Sequence, residues 1–233
     1  MLAYSVLRKC VEAYDHGLAP SVADAPLVDG GLDLAYGGVD KCSLVIRRGP
    51  CIEYVDVWPG VAGYLAPAAV RAHDALAEWD AYRVYYDATG GDTIRGEILR
   101  LDPDYQVRPV NFGGAVEHPK AMYETRRTQE QVFARRNAQM AFALRLRANR
   151  TVRLLEGDPD VDPVDCLFIN PDIPNLEKYL SELTQPQYRT NPTTGKLQID
   201  KRGEENAKSP DAYDATALAF CRDSADQVLR ARL

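Results

Sequence analysis

Three aspartates, Asp33, Asp87 and Asp214, stand where a folded chain could aim them at one point. Asp33 lies in the alternating run Gly31-Leu32-Asp33-Leu34-Ala35, and Asp87 ends Arg83-Val84-Tyr85-Tyr86-Asp87. Asp214 lies in Ser209-Pro210-Asp211-Ala212-Tyr213-Asp214, at the start of an apolar helical pattern. Two strand ends and one helix start can gather carboxylates around magnesium ions. Phosphodiester cleavage at neutral pH is chemistry that needs such ions, because the attacking and leaving oxygens both carry charge. Taken singly, each aspartate reads as a turn former or a helix cap. Taken together, carboxylates brought close repel one another unless a cation lies between them. Asp211 and Asp214 are three apart and share a helix face, where compensation of the helix dipole is the simpler role. Asp40 and Asp92 lie in glycine-bearing connections and are weaker candidates.

Other chemistry is scarce. The histidines are His16, His73 and His118, without the spacing of a metal site, and the five cysteines contain no CxxC pair. A reducing compartment suits such cysteines. Thr193-Thr194-Gly195-Lys196 is not a phosphate loop, because Leu197 stands where Ser or Thr is required. In the acidic segment 156–165 the glycine is misplaced for a calcium loop, two prolines interrupt and no closing glutamate follows. The chain has 233 residues, 45% apolar and 27% charged, with a formal charge of −6. No apolar run is long enough for a membrane span. The acidic balance argues against tight nonspecific DNA binding by the chain alone, although bound cations would reverse the local sign.

The elements that must position these residues follow from periodicity. Residues 2–14 read as a helix and 17–26 as a linker. Strands are expected over 27–35, 42–48 and 51–58, joined by short glycine turns and therefore antiparallel. Helix 67–80, strand 83–87, helix 90–101 and strand 106–112 alternate, which implies parallel crossovers. Residues 121–149 carry the longest helical pattern. Its Arg126, Arg127, Arg135, Arg136, Arg145 and Arg147 would either face a phosphate backbone or form a solvated face. A short helix is expected over 175–185, a basic hairpin over 187–201, and a final helix over 210–233, with Ser209 or Asp211 as its cap. The fold class is thus α/β: a mixed sheet of three antiparallel strands followed by parallel strands, flanked by helices.

Gly31-Leu32-Asp33-Leu34-Ala35-Tyr36-Gly37-Gly38-Val39-Asp40-Lys41, Tyr86-Asp87-Ala88-Thr89-Gly90-Gly91 and Ser209-Pro210-Asp211-Ala212-Tyr213-Asp214-Ala215 resemble, in order and separation, the acidic motifs of one family. That family is the nuclease domain of phage terminase large subunits, the DNA-packaging motors. The resemblance covers about residues 27 to 222. It implies an RNase H-like fold with a β-hairpin inserted before the C-terminal helix. It also implies a two-metal endonuclease using Mg²⁺ or Mn²⁺, with Asp33 shared by the two ions and Asp87 and Asp214 completing one site each. Asp211 matches a variable position. The hairpin, with Arg189, Lys196, Lys201 and Arg202, would meet DNA. Implied partners are double-stranded DNA, an ATPase domain, the portal and the small terminase subunit, at the portal vertex of a procapsid in the host cytoplasm. No packaging ATPase is legible in this sequence. Residues 1–26 therefore read as a linker and helical remnant of that connection, and 27–233 as the nuclease domain. Rival readings are a sugar-kinase or actin-like ATP-binding domain, a transposase or resolvase-type nuclease, and a docking module with a vestigial acidic edge.

Overall fold

The computed structural model describes residues 2–35, 41–61, 63–89, 93–124, 126–200 and 210–221. Helix α1 (Tyr4–Asp15) buries Leu7, Cys10, Val11 and Ala13. Strands β1 (Val28–Asp33), β2 (Lys41–Arg48) and β3 (Cys51–Pro59) then form an antiparallel meander. Gly49, at φ 54°, makes the β2–β3 turn in a conformation that β-carbon-bearing residues avoid. Helix α2 (Ala66–Glu78), with Pro67 in its first turn, leads to β4 (Arg83–Asp87), then α3 (Thr93–Leu99) and β5 (Gln106–Val110). Both crossover strands pair in parallel, β4 with β1 and β5 with β4.

Residues 121–149 depart from the expected single helix. They form β6 (Met122–Glu124), β7 (Arg127–Thr128), a single turn α4 (Gln129–Val132) and then α5 (Arg136–Leu155). Thr128 and Gln131 build a capping box that starts α4. Phe133 then turns extended, and its ring packs 4.9 Å from that of Tyr123 and 5.4 Å from that of Phe142. Burial of that ring outweighs helical continuity. The arginines do not make a stripe. Arg147 is buried and donates to the carbonyls of Val164 and Cys166, while Arg136 pairs with Glu117.

Strand β8 (Phe168–Ile169), which has too few residues for a periodicity signal, extends the sheet beside β3. Helix α6 (Leu176–Thr184) and the hairpin β9 (Gln187–Thr190) and β10 (Leu197–Asp200) follow. The amide N–H of Ala134 donates to the Leu197 carbonyl, seating the hairpin on the break before α5. The last described helix is α7 (Asp211–Ala219), with its C-cap at Phe220, inside the span expected as one helix over 210–233. Residues 222–233 lie outside the described residues. The sheet order is β5-β4-β1-β2-β3-β8. One face carries α2 and α3 over Leu32, Leu44, Ile46, Val84 and Tyr86. The other carries α1, α5, α6 and α7 over Val45, Val55 and Tyr85.

Helix α7 touches β1 backbone to backbone. A Cβ on Gly31 would stand 1.9 Å from the Ala215 carbonyl oxygen and 2.3 Å from the Ala219 nitrogen. Gly31→Ala is therefore expected to destabilise the fold by about 3 kcal/mol, the upper end of ordinary overpacking. Gly96→Ala in α3, where nothing lies within 4 Å of the added methyl, should stabilise by about 0.5–1 kcal/mol. Urea unfolding of the two variants checks the contrast.

Candidate active site

Parallel pairing brings two of the expected carboxylates to one edge. Leu32 of β1 is the partner of Tyr86 of β4, so the same register sets Asp33 opposite Asp87. Neighbouring strands lie about 4.8 Å apart. Side chains alternate between faces, so Asp33 shares a face with Asp29 and Gly31, and Asp87 with Arg83 and Tyr85. Gly31 meets α7, and Tyr85 belongs to the apolar cluster that contains α7. Both strand-end aspartates therefore point to the α7 side of the sheet.

The direction of α7 is set at its far end. Arg47 is cross-strand partner to Asp29, near the start of β1. Its Nε donates to the carbonyl of Ala219 at 2.6 Å, Nη1 to the Gly49 carbonyl at 2.5 Å and Nη2 to Asp29 at 2.8 Å. Its guanidinium also lies 4.5 Å from the centre of the Phe220 ring. Asp29 meets Arg83 as well, at 2.8 Å. The C-terminal end of α7 thus sits over the start of β1, and the helix runs back towards Asp33. Asp214 lies five residues before Ala219, about 7.5 Å along the axis at 1.5 Å per residue. It is 6% exposed.

Local bonds hold Asp87 and the first turn of α7. One oxygen of Asp87, Oδ1, accepts from the Thr89 amide (3.0 Å), the Thr89 hydroxyl and the Phe112 amide (3.4 Å), and none of these bonds uses Oδ2. The N-cap of α7 is Pro210, not Ser209 or Asp211, and no side chain of its own caps the helix. Glu182 of α6 supplies the acceptor instead, taking the Ala212 amide at 3.3 Å. The hydroxyls of Tyr179 and Thr216 lie 2.8 Å apart and join α6 to α7. Burial, and after it the neighbouring Asp214 carboxylate, push the Tyr213 hydroxyl well above its ordinary value, so it stays protonated.

Asp211 is the first residue of α7. Asp40, Asp92, Lys201 and Arg202 lie outside the described residues. Arg189 is exposed on β9 and Lys196 stands at the hairpin turn. Among the described residues, no group of three or more His, Cys, Asp or Glu side chains is placed to hold a metal ion. Carboxylate oxygens are the donor type that a hard cation takes. Sequence reasoning missed Thr89, Glu182 and Arg47, whose roles depend on partners 2, 30 and 172 residues away.

No family model matches the chain, and no curated protein matches it. Solved structures do match. A point mutant of the nuclease domain of the large terminase subunit gp2 of bacterial virus Sf6, with manganese and β-thujaplicinol, superposes with a TM-score of 0.83 at 23% identity, covering 94% of this chain and 96% of that one. The nuclease domain of the same subunit without the mutation gives 0.80 at 23%, with the same coverage. The large terminase of bacteriophage HK97 gives 0.57 at 12%, covering 95% of this chain and 43% of that one. The fold is therefore that of the nuclease domain of phage large terminases, an RNase H-like mixed sheet with its hairpin ahead of the last helix.

Two outcomes follow from these contacts. Arg47→Met breaks a buried ion pair and strips Ala219 of its donor, so it should cost about 3–5 kcal/mol in urea unfolding. The Tyr213 hydroxyl is buried with no hydrogen-bond partner. Tyr213→Phe should therefore leave stability unchanged or raise it by about 1 kcal/mol, read in the same assay.

Proposed function

We propose that this chain is a metal-dependent endonuclease that cuts double-stranded DNA concatemers during viral genome packaging, by two-metal-ion phosphodiester hydrolysis. The observation that carries the reading is the parallel register that sets Asp33 beside Asp87, on strands covered by α7, the helix that contains Asp214. The fold it shares with terminase nuclease domains supports it.

Carboxylate oxygens are hard donors that suit Mg²⁺ or Mn²⁺. Asp33, on the strand between β4 and β2, would serve both ions, with Asp87 and Asp214 each completing one site and Asp211, the first residue of α7, in a supporting role. Bound there, the ions supply positive charge that offsets the attacking and leaving oxygens of the phosphodiester. Mg²⁺ is ordinarily held by one or two carboxylates, with substrate phosphates and water completing its shell, so the chain would supply only part of the donors. The Thr89 and Phe112 donors hold Asp87 in one orientation before any ion arrives. Arg189 and Lys196 of the hairpin, with Lys201 and Arg202, would meet the DNA backbone. The ATPase domain of a large subunit, the portal and the small terminase subunit complete the proposed setting, at the procapsid vertex in the host cytoplasm. No helix among the described residues is long and apolar enough to cross a membrane.

Asp33→Ala, Asp87→Ala and Asp214→Ala should each lower plasmid cleavage in Mn²⁺ by at least about a hundredfold, the scale of losing one group that stabilises transition-state charge. Asp87→Asn should keep or raise the melting temperature, because its amide oxygen can still accept from Thr89 and Phe112 while one of two neighbouring negative charges is removed. Calorimetry should find weak Mg²⁺ binding to the chain alone and tighter binding with uncleavable DNA. Alanine variants that cut as fast as the parent would refute the reading.

A further inference from the structure

A cavity of about 290 Å³ opens between the start of α5 and the β9–β10 hairpin. Its polar lining is Arg135, Asn137, Arg189 and Gln198, with no carboxylate among the described lining residues. Asp200 approaches Arg189 only at 3.6 Å, and that guanidinium is 67% exposed. Arg135 is the N-cap of the 20-residue helix α5, in extended conformation (φ −151°, ψ 166°). The positive end of that helix adds to the two guanidinium charges.

The cavity is tied to the carboxylate edge. The Asn137 amide donates to the Phe112 carbonyl, and the Phe112 amide donates to Asp87. Arg135 Nη1 lies 3.8 Å from the place a Gly113 Cβ would take, and Thr89 Cγ2 lies 3.7 Å from the same place. Thr89 is the residue whose amide and hydroxyl hold Asp87. The Arg135 guanidinium therefore sits about one side chain's width from the turn that orients Asp87. On the other side, the hairpin carrying Arg189 is bonded to the α5 start through Ala134 and Leu197.

We propose that this cavity is a binding subsite for one backbone phosphate of the DNA strand, next to the scissile bond. Arg135 and Arg189 grip the phosphate oxygens from opposite walls, and the Asn137 and Gln198 amides complete the donors. Guanidinium groups match phosphate geometry and remain charged at any working pH. On a chain of formal charge −6, a local cationic seat beside the carboxylates lets a strand approach them. The choice of a nucleic-acid strand as ligand rests on the nuclease reading, while the anion-binding geometry does not.

The test uses the full chain in EDTA, so that neither metal nor cleavage enters. Fluorescence anisotropy of a labelled duplex is followed across a salt series for the parent, Arg135→Ala, Arg189→Ala, Arg135→Lys and Asp33→Asn. Each alanine variant should bind roughly 3- to 10-fold more weakly at low salt, with a log–log salt slope smaller by about 1, the mark of one lost phosphate contact. Arg135→Lys should recover most of the slope, and Asp33→Asn should not weaken binding. In Mn²⁺ the alanine variants should raise KM more than they lower kcat. Arg189 is exposed on a hairpin, so its variant reports on binding even where Arg135→Ala impairs folding. Unchanged affinity and slope in both alanine variants overturn the proposal, as does a parent that binds no duplex. Competition by inorganic phosphate that is lost in the variants without any change in duplex binding also overturns it, leaving a free-anion site. A parent that binds DNA through these arginines yet cuts nothing would keep the subsite and refute only the nuclease reading.

Discussion

The seating of α7 directly on the backbone of β1 is the constraint on which the rest depends. Gly31 has no side chain, and the carbonyl of Ala215 and the amide of Ala219 occupy the space one would need. Helix and strand are thereby held closer than ordinary side chains permit. Arg47 secures the helix lengthwise, holding its last carbonyl and Asp29 at once. The helix cannot slide along the strand without breaking a buried ion pair, and breaking such a pair leaves an uncompensated charge inside the protein. The position of Asp214 relative to Asp33 follows from these two contacts.

Charge is sorted along the same strands. At the start of β1, Asp29 is answered by Arg47 and Arg83, and all three are largely removed from solvent. At the other end, Asp33 and Asp87 stand side by side and half-exposed, with Asp214 on the helix above. The first cluster is closed and serves to hold elements together. The second stands at the C-terminal ends of the strands, where the two carboxylates remain partly open to solvent. The arginine-lined cavity beside Asp87 places positive charge next to that acidic edge, so a polyanion has somewhere to rest.

Much of this arrangement was legible in local pattern. The run 83–87 and the β2–β3 pair carry alternation and turn residues that mark them as strands, and their bounds in the structure agree closely. The break at Phe133 to Arg135 was not legible, because its cause is a ring slotted between Tyr123 and Phe142 and a hydrogen bond to Leu197. Arg147 looked like a surface charge by spacing. It is buried because the carbonyls of Val164 and Cys166 reach it from the next connection. Glu182 could not be recognised as the cap of α7, since caps are ordinarily sought within a few residues of the helix they serve.

The sequence by itself determined that strands run over about 27–35 and 83–87, each with an aspartate towards its C-terminal end, because a side-chain period of two is a local property. It also determined that Asp214 rides on an apolar helix. Only the tertiary structure decided that β1 lies between β4 and β2, that α7 runs back along it, and that Arg135 and Arg189 share one cavity. Those choices come from pairing and burial between segments far apart in the chain, whose energies no short window of residues contains.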